Sequence, residues 1–337
     1  MSFDSVKRLP KEFLWRRLHS IFGLLIVLFL IEHILTNSQS ALLFGESGEG
    51  FIKAVNFIKN LPYLPVIEVL LIGVPIAVHG ALGVRYALTG KMNSFPSHGK
   101  RPALTSYGRN HAYSWQRITS WILLVGIIAH VSYMRFYRYP THAQIQEKTW
   151  YFTRISVDQG LYSVAKRLGV VLLNQQDIDG QVSAFHQKKI EGLELEKAAK
   201  KILAEQDEKA IFDPDQQRLL LRWQDYEQQK SWITAITKKP INQTEVIAQA
   251  PDFGTATLLM VRDSFKSVFK AILYTIFVLA ASFHAFNGLW TFCITWGVVI
   301  KARTQSRLVN ICIGIMVLIA CLGLASIWGT YWINLAN

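Results

Sequence analysis

Five stretches of the chain are almost free of charge over a length that matters. They run from Leu18 to Asn37, Leu64 to Leu88, Ile118 to Met134, Ala271 to Ile300 and Leu308 to Leu335. An α-helix rises about 1.5 Å per residue, so about 20 apolar residues cross the roughly 30 Å hydrocarbon core of a bilayer. Each stretch approaches or reaches that length. Lipid offers no partner for backbone N–H and C=O groups, which makes a helix the predicted form of each. Between the third and fourth stretches the pattern changes, and residues 139–265 read as a polar, largely helical extramembrane insertion. Within it Asp213-Pro214-Asp215 marks a helix start, with Asp as N-cap and Pro at the first helical position, leading into QQRLLLRWQDYEQQKSW. Upstream, IEGLELEKAAKKILAEQDEKAIF has amphipathic helical spacing. The predicted fold is an all-α membrane protein with five transmembrane helices, three in residues 1–138 and two in residues 266–337, the first four forming a bundle.

Composition agrees with a membrane class: 51% of the 337 residues are hydrophobic, with ten Trp and nineteen Phe. The net charge of +13 would suggest nucleic acid were it evenly spread. Residues 139–265, however, carry 16 Lys+Arg against 17 Asp+Glu, which leaves 20 against 6 in the membrane part. The basic residues there cluster before the first helix (Lys7, Arg8, Lys11, Arg16, Arg17), between the second and third (Arg85, Lys91, Lys100, Arg101, Arg109, Arg117) and between the fourth and fifth (Lys301, Arg303, Arg307). The connection Ser38 to Tyr63 holds only Lys53 and Lys59. Alternate loops are therefore basic, and the positive-inside rule places the N-terminus inside and the C-terminus outside. The charge is a topology signal, and no nucleic-acid partner is expected. The basic start followed by an apolar run also has the form of a secretory signal, but cleavage after SQSA would discard His33 and break the repeat described next. Cys293, Cys312 and Cys321 lie inside helices without a C-x-x-C pair, so they give no iron–sulfur or c-type haem signal and read as small buried residues.

The membrane part repeats weakly. The first helix opens with WRRLHS and the third with WQRITS, and each has a histidine near its far end, His33 and His130. The second carries HGALGV and the fourth HAFNGL, both H-x-x-x-G, starting at His79 and His284. The agreement of both halves in the same order indicates two related helix pairs plus a fifth helix.

Each of the first four helices thus holds one histidine in its apolar span, and the fifth holds none. A single membrane histidine reads as an interhelical hydrogen bond; four of four call for a shared purpose. His33 lies 16 residues past Arg17, roughly 24 Å, and His130 lies 13 past Arg117, roughly 20 Å, so both sit towards the outer face. His79, six residues from Arg85, is about 9 Å from the inner side, and His284 pairs with it by elimination. Two levels of two neutral imidazoles suit two stacked b-type haems, whose iron then has no open position and serves electron transfer. Gly83, Gly126 and Gly288, a helical turn from the histidines, would make room for the macrocycle, and Pro75 should bend the second helix. Arg16, Arg17, Arg85 and Arg117 are candidates for the inner haem's carboxylates, Arg135 and Arg138 for the outer, the alternative being that they flank helix ends. His19 is an alternative inner ligand. His98 and His111 read as solvated or partner-contacting in a basic loop, and His142 and His186 as isolated surface residues.

The stretches FLWRRLHSIFGLLIVLFLIEHILTN, LPYLPVIEVLLIGVPIAVHGALGVRYALTG, WQRITSWILLVGIIAHV and FHAFNGLWTFCITWGVVI resemble the cytochrome b membrane anchor of succinate dehydrogenase, of the five-helix dihaem type associated with menaquinone. With the fifth helix the resemblance covers the membrane part, leaving the insertion as a departure from the family's short connector. It implies two haem b groups with His33 paired to His130 and His79 to His284 as axial ligands, and a multi-pass protein of the bacterial cytoplasmic membrane. It further implies docking on the inside with a flavoprotein that oxidises succinate and an iron–sulfur subunit, and electron transfer through both haems to a quinone. Glu32, Asn37 and Glu68 are the polar residues at the depth of an outer quinone, or they hydrogen-bond neighbouring helices. The competing readings are the dihaem cytochrome b of a nitrate-reductase or hydrogenase type complex and a haem-free structural anchor.

Overall fold

A computed structural model describes residues 10–41, 48–90, 106–205 and 212–336 of the chain; Lys7, Arg8, Lys91, His98, Lys100 and Arg101 lie outside the described residues. Among the described residues five helices are long and apolar enough to cross a bilayer: Lys11–Ala41, Leu64–Thr89, Gly108–Tyr137, Val268–Thr295 and Ala302–Leu335. We call them the first to fifth spans. The first, third, fourth and fifth begin earlier than their apolar stretches, at Lys11, Gly108, Val268 and Ala302, because the segments before them continue the same helix; His111 thus sits in the first turns of the third span. The fourth ends five residues before the expected Ile300. Gly297 takes φ +72°, and N–H groups of Gly297 and Val298 close on the carbonyls of Ile294 (3.1 Å) and Cys293 (2.9 Å), a left-handed glycine stop. In the second span Glu68–Gly73 forms a π-helical turn immediately before Val74–Thr89. Pro75 has no N–H for the Leu71 carbonyl, so the wider winding takes the place of the expected simple bend.

The insertion is built on a sheet that the sequence pattern did not reveal. Strands β1 (Thr141–Ile145), β2 (Lys148–Ser156), β3 (Val171–Leu173) and β4 (Glu245–Ala250) pair in the order β1-β2-β4-β3, all antiparallel. Aromatic and β-branched residues in KTWYFTRIS favour such a pleated, half-buried surface. Helices Leu161–Arg167, Gln175–Gln187, Lys189–Glu205 and Pro214–Thr237 make up most of the remainder, so the insertion is still mainly helical. The expected Asp213 cap is present, its carboxylate accepting the N–H groups of Asp215 (2.9 Å) and Gln216 (2.8 Å).

Both faces of the sheet are covered. Ala143, Phe152, Ile178, Ile236 and Ile247 pack on one side; Ile155, Leu161, Val246, Ala248, Ala256 and Leu259 pack on the other. That second face rests on a helix, Phe253–Ser264, buried from Gly254 to Ser264 except at Thr257. Its opposite side, through Leu258, Met260 and Val261, meets Phe51, Ala271, Val278 and Ile327, so one helix joins the insertion to the bundle. Phe51 belongs to a helix, Glu49–Lys59, in the connection read above only as charge-poor. The two helices touch at Gly254, where a Cβ would stand 2.5 Å from the Ile52 carbonyl oxygen and where the glycine N–H donates to Asn56 Oδ1 at 2.7 Å.

Ion pairs seal the same junction. Arg138, from the end of the third span, pairs with Asp263 at 2.7 Å, both buried; Arg262 donates twice to Asp158 (2.7 and 2.9 Å), and Lys266 reaches Asp158 (2.6 Å) and Asp263 (3.1 Å). Burial alone would raise the Asp158 carboxyl, yet hydrogen bonds and charge from Arg262 and Lys266 outweigh it and hold it at about 2. The insertion, the Glu49–Lys59 helix and the C-terminal turn, where Asn334 donates to the Arg262 carbonyl at 2.9 Å, all lie at one end of the bundle. Arg85, paired with Glu12 at 2.7 Å, and Arg17, bonded to the Thr295 carbonyl, lie at the other.

Candidate metal centre

The four histidines fall into two levels. His33 and His130 have ring centroids 5.9 Å apart with planes at 84°, and His79 and His284 lie 6.3 Å apart at 81°. Imidazole nitrogens bind a first-row metal at about 2 Å, so two rings on opposite sides of one ion have centroids roughly 6 Å apart. Both pairs match that separation. Among the described residues no three His, Cys, Asp or Glu side chains gather as a bare ion would need. Pairs of histidines suit a metal whose other ligands come with it.

Each of the four histidines has a polar group beside its Nδ1. His79 Nδ1 lies 2.8 Å from the His19 carbonyl oxygen, which can only accept, so the proton is on Nδ1 and the Nε2 lone pair is free. His284 Nδ1 lies 3.3 Å from Thr119 Oγ1, whose own proton goes to the Trp115 carbonyl at 2.8 Å. That hydroxyl therefore accepts, and His284 has the same tautomer as His79. In the outer level His130 Nδ1 meets Tyr274 Oη at 3.1 Å, and His33 Nδ1 faces Asn37 Nδ2 at 3.5 Å, the same amide donating to the His33 carbonyl at 2.8 Å. No Nε2 of the four has a hydrogen-bond partner among the described residues.

All four rings line one cavity of about 1260 Å³, larger than the roughly 300–1,000 Å³ of an ordinary small-ligand pocket. Its walls are apolar, with Leu30, Ile76, Leu124 and Phe277, and Val261 and Phe265 from the insertion's junction line it at the outer end. Gly83 and Gly288 line it as expected, while the space over Gly126 is filled by the Phe277 ring, 2.4 Å from where a Cβ would stand. Gly23, which the sequence did not single out, lies against His79.

The inner end is polar. Arg16, Tyr86, Arg109, Gln116, Arg117 and Trp290 line it. Arg117 gives one nitrogen to the Ala87 and Gly90 carbonyls, while its Nε and Nη1, together with Tyr86 Oη and Trp290 Nε1, are buried with no partner among the described residues. Idle donors on a buried guanidinium suit an anion.

Of the other residues expected at the site, Arg16, Asn37, Arg117 and the alternative ligand His19 line the cavity. Arg17 packs over Phe13 and Trp296, and Arg85 is taken by Glu12; neither lines the cavity. Arg135 pairs with Glu68 at 2.8 Å and stacks on Tyr139, and Arg138 is consumed by the Asp263 pair. Glu32 is exposed on the outside of the bundle and accepts from Thr36 at 2.8 Å. His19 lies face to face with His79, centroids 3.9 Å apart and planes at 17°. Ring-nitrogen lone pairs lie in the ring planes, so those of a stacked pair do not converge on one ion. Tyr86, Thr119, Tyr274 and Trp290 carried no signal of their own in the sequence, save that Thr119 occupies in WQRITS the place His19 holds in WRRLHS.

No family model and no solved structure matches the chain. It is similar to the succinate dehydrogenase cytochrome b558 subunit of Bacillus subtilis (strain 168), with 34% identity over 122 residues, which is 36% of this chain and 54% of that protein. The chain thus spans about half the length of the curated relative it matches. The resemblance read from the histidine-bearing helices and this similarity point to the same kind of subunit.

Proposed function

We propose that the chain is the cytochrome b membrane anchor of a succinate dehydrogenase, holding two b-type haems between its first four spans and passing electrons from an iron–sulfur subunit to a quinone, with menaquinone as the expected acceptor. The observation that carries the reading is the two levels of paired histidines, 5.9 and 6.3 Å between ring centroids, all four lining one cavity. His33 and His130 hold the outer group, His79 and His284 the inner. Bound there, haem supplies one-electron transfer, and two imidazole ligands leave no position for oxygen or peroxide chemistry. The chain's own part is to fix the ligands, exclude water and neutralise carboxylates. Arg117, Tyr86 and Trp290 offer the inner group's carboxylates their idle donors. Val261 and Phe265 line the outer level on the side of the insertion, and quinone reaches that level through the bilayer, where Glu32 faces outward beside it. The basic end, with Arg16, Arg17, Arg85 and Arg109, is cytoplasmic and takes the iron–sulfur and flavoprotein subunits; the insertion stands outside.

The test is the haem-to-chain ratio and reduced-minus-oxidised spectrum of the complex purified from its native membrane. Two low-spin b-type haems per chain, copurifying with a flavoprotein and an iron–sulfur protein, are expected. A chain without haem defeats the proposal.

A further inference from the structure

The weak repeat noticed in the sequence has a physical content that ligation does not absorb. WRRLHS opens the first span and WQRITS the third; their fifth residues are His19 and Thr119. In the structure each of these meets the Nδ1 of the H-x-x-x-G histidine on the next span: the His19 carbonyl at 2.8 Å from His79, the Thr119 hydroxyl at 3.3 Å from His284. The two halves perform one operation with different atoms. Thr119 is committed to it, because Trp115, one turn earlier, takes the hydroxyl proton and leaves a lone pair for the imidazole.

We infer that this fifth position is a histidine-positioning site: Thr119 sets the tautomer and ring orientation of His284 through its hydroxyl, and His19 does the same for His79 through its main chain. The inference rests on the haem reading above. The brace also crosses levels. Thr119 sits on the span that carries the outer ligand His130, and His19 on the span that carries the outer ligand His33, so each inner ligand is held by the helix of an outer one. Gln116, one turn from Ser120 and three residues before Thr119, adds to the hold by donating to the His284 carbonyl at 3.0 Å. An acceptor on Nδ1–H raises the basicity of a ligating imidazole, and its removal weakens donation to the ferric state.

Three variants of the intact membrane complex test this by redox titration and low-temperature EPR of the two low-spin signals. Thr119→Val keeps the side-chain volume and removes the acceptor; one b component should rise in potential and shift its g-value while the other stays in place, with both haems retained or only that one lost. Thr119→Ser, which keeps the hydroxyl, should restore the wild-type position. His19→Phe keeps both the carbonyl and a ring stacked on His79, and should retain two haems. The inference is overturned if Thr119→Val leaves both components at their wild-type positions, if it moves both alike, if Ser fails to restore them, or if His19→Phe loses the inner haem, which would make His19 itself a ligand. A wild-type complex lacking two low-spin components overturns the haem reading with it, and is told apart because it fails before any substitution.

Discussion

A single methyl group at residue 23 should displace a histidine. A Cβ on Gly23 would stand 2.9 Å from His79 Cε1 and 3.2 Å from its Nδ1. Carbon atoms rest at about 3.5 Å, so the ring must withdraw by roughly 0.6 Å. Gly23 and His19 are one helical turn apart on the same span, and withdrawal from one is withdrawal from the other. The His79–His19 bond, 2.8 Å in the native fold, then stretches to roughly 3.4 Å, beyond good N–H···O geometry. Loss of that bond costs about 0.5–1.5 kcal/mol and overpacking about 1–3 kcal/mol. Together these amount to roughly a ten- to thousandfold loss of affinity at the inner level. In Gly23→Ala the haem content should fall from two towards one per chain, with the surviving spectrum that of the outer component, measured by pyridine haemochrome and reduced-minus-oxidised difference spectra. Two haems with unchanged potentials in this variant would refute the argument that the ring is boxed in.

The outer level should respond to Tyr274→Phe, which keeps the ring against Phe265 and Phe277 and removes the hydroxyl 3.1 Å from His130 Nδ1; redox titration should show a shift confined to one component. Phe51→Ala empties a fully buried position between two packed helices and should cost about 3–5 kcal/mol, read as a lower unfolding midpoint in detergent with both haem signals intact beforehand. The Asp158 carboxyl, at about 2 in the fold against a model-compound value of 3.8, contributes stability that is complete above that value and drains away as pH falls towards 2. Thermal stability should therefore fall between about pH 4 and 2, and Asp158→Asn should lower the midpoint at neutral pH while flattening that acid dependence.

The membrane half was open to reading because lipid imposes simple rules. Length, hydropathy and alternate basic loops placed five spans, and helix rise put His33 with His130 at one depth and His79 at another, with His284 paired to His79 by elimination. What escaped was direction around the helix axis. Arg17 and Arg85 stand at the inner end as expected but are turned to Thr295, Trp296 and Glu12, while the neighbouring Arg16 faces the cavity. One residue is a turn of about 100°, and near a helix end apolar spacing no longer decides which side faces in. Thr119 was hidden for a related reason: a threonine in an apolar helix reads as packing unless the partner's nitrogen is known. The insertion's sheet was obscured because β4, EVIAQA, is covered on both faces and shows no alternation, and β3 is only three residues long. The helix Phe253–Ser264 looked like the end of a soluble segment, since nothing local announces that both its sides are covered.

That doubly covered helix fixes where the protein can be cut. Its first residue, Phe253, has its ring 5.3 Å from that of Tyr139, so the chain leaves the third span and returns at nearly the same point. Adjacent ends are the condition under which an inserted module can be removed or exchanged with little strain. A shortened chain should therefore join Tyr139 to Asp252 through a brief flexible linker. Excision carried through to residue 265, the boundary suggested by polarity, would strip Val261 and Phe265 from the cavity and admit water beside His130. In engineering terms the replaceable part ends at the sheet, and the last helix of the insertion belongs to the membrane core.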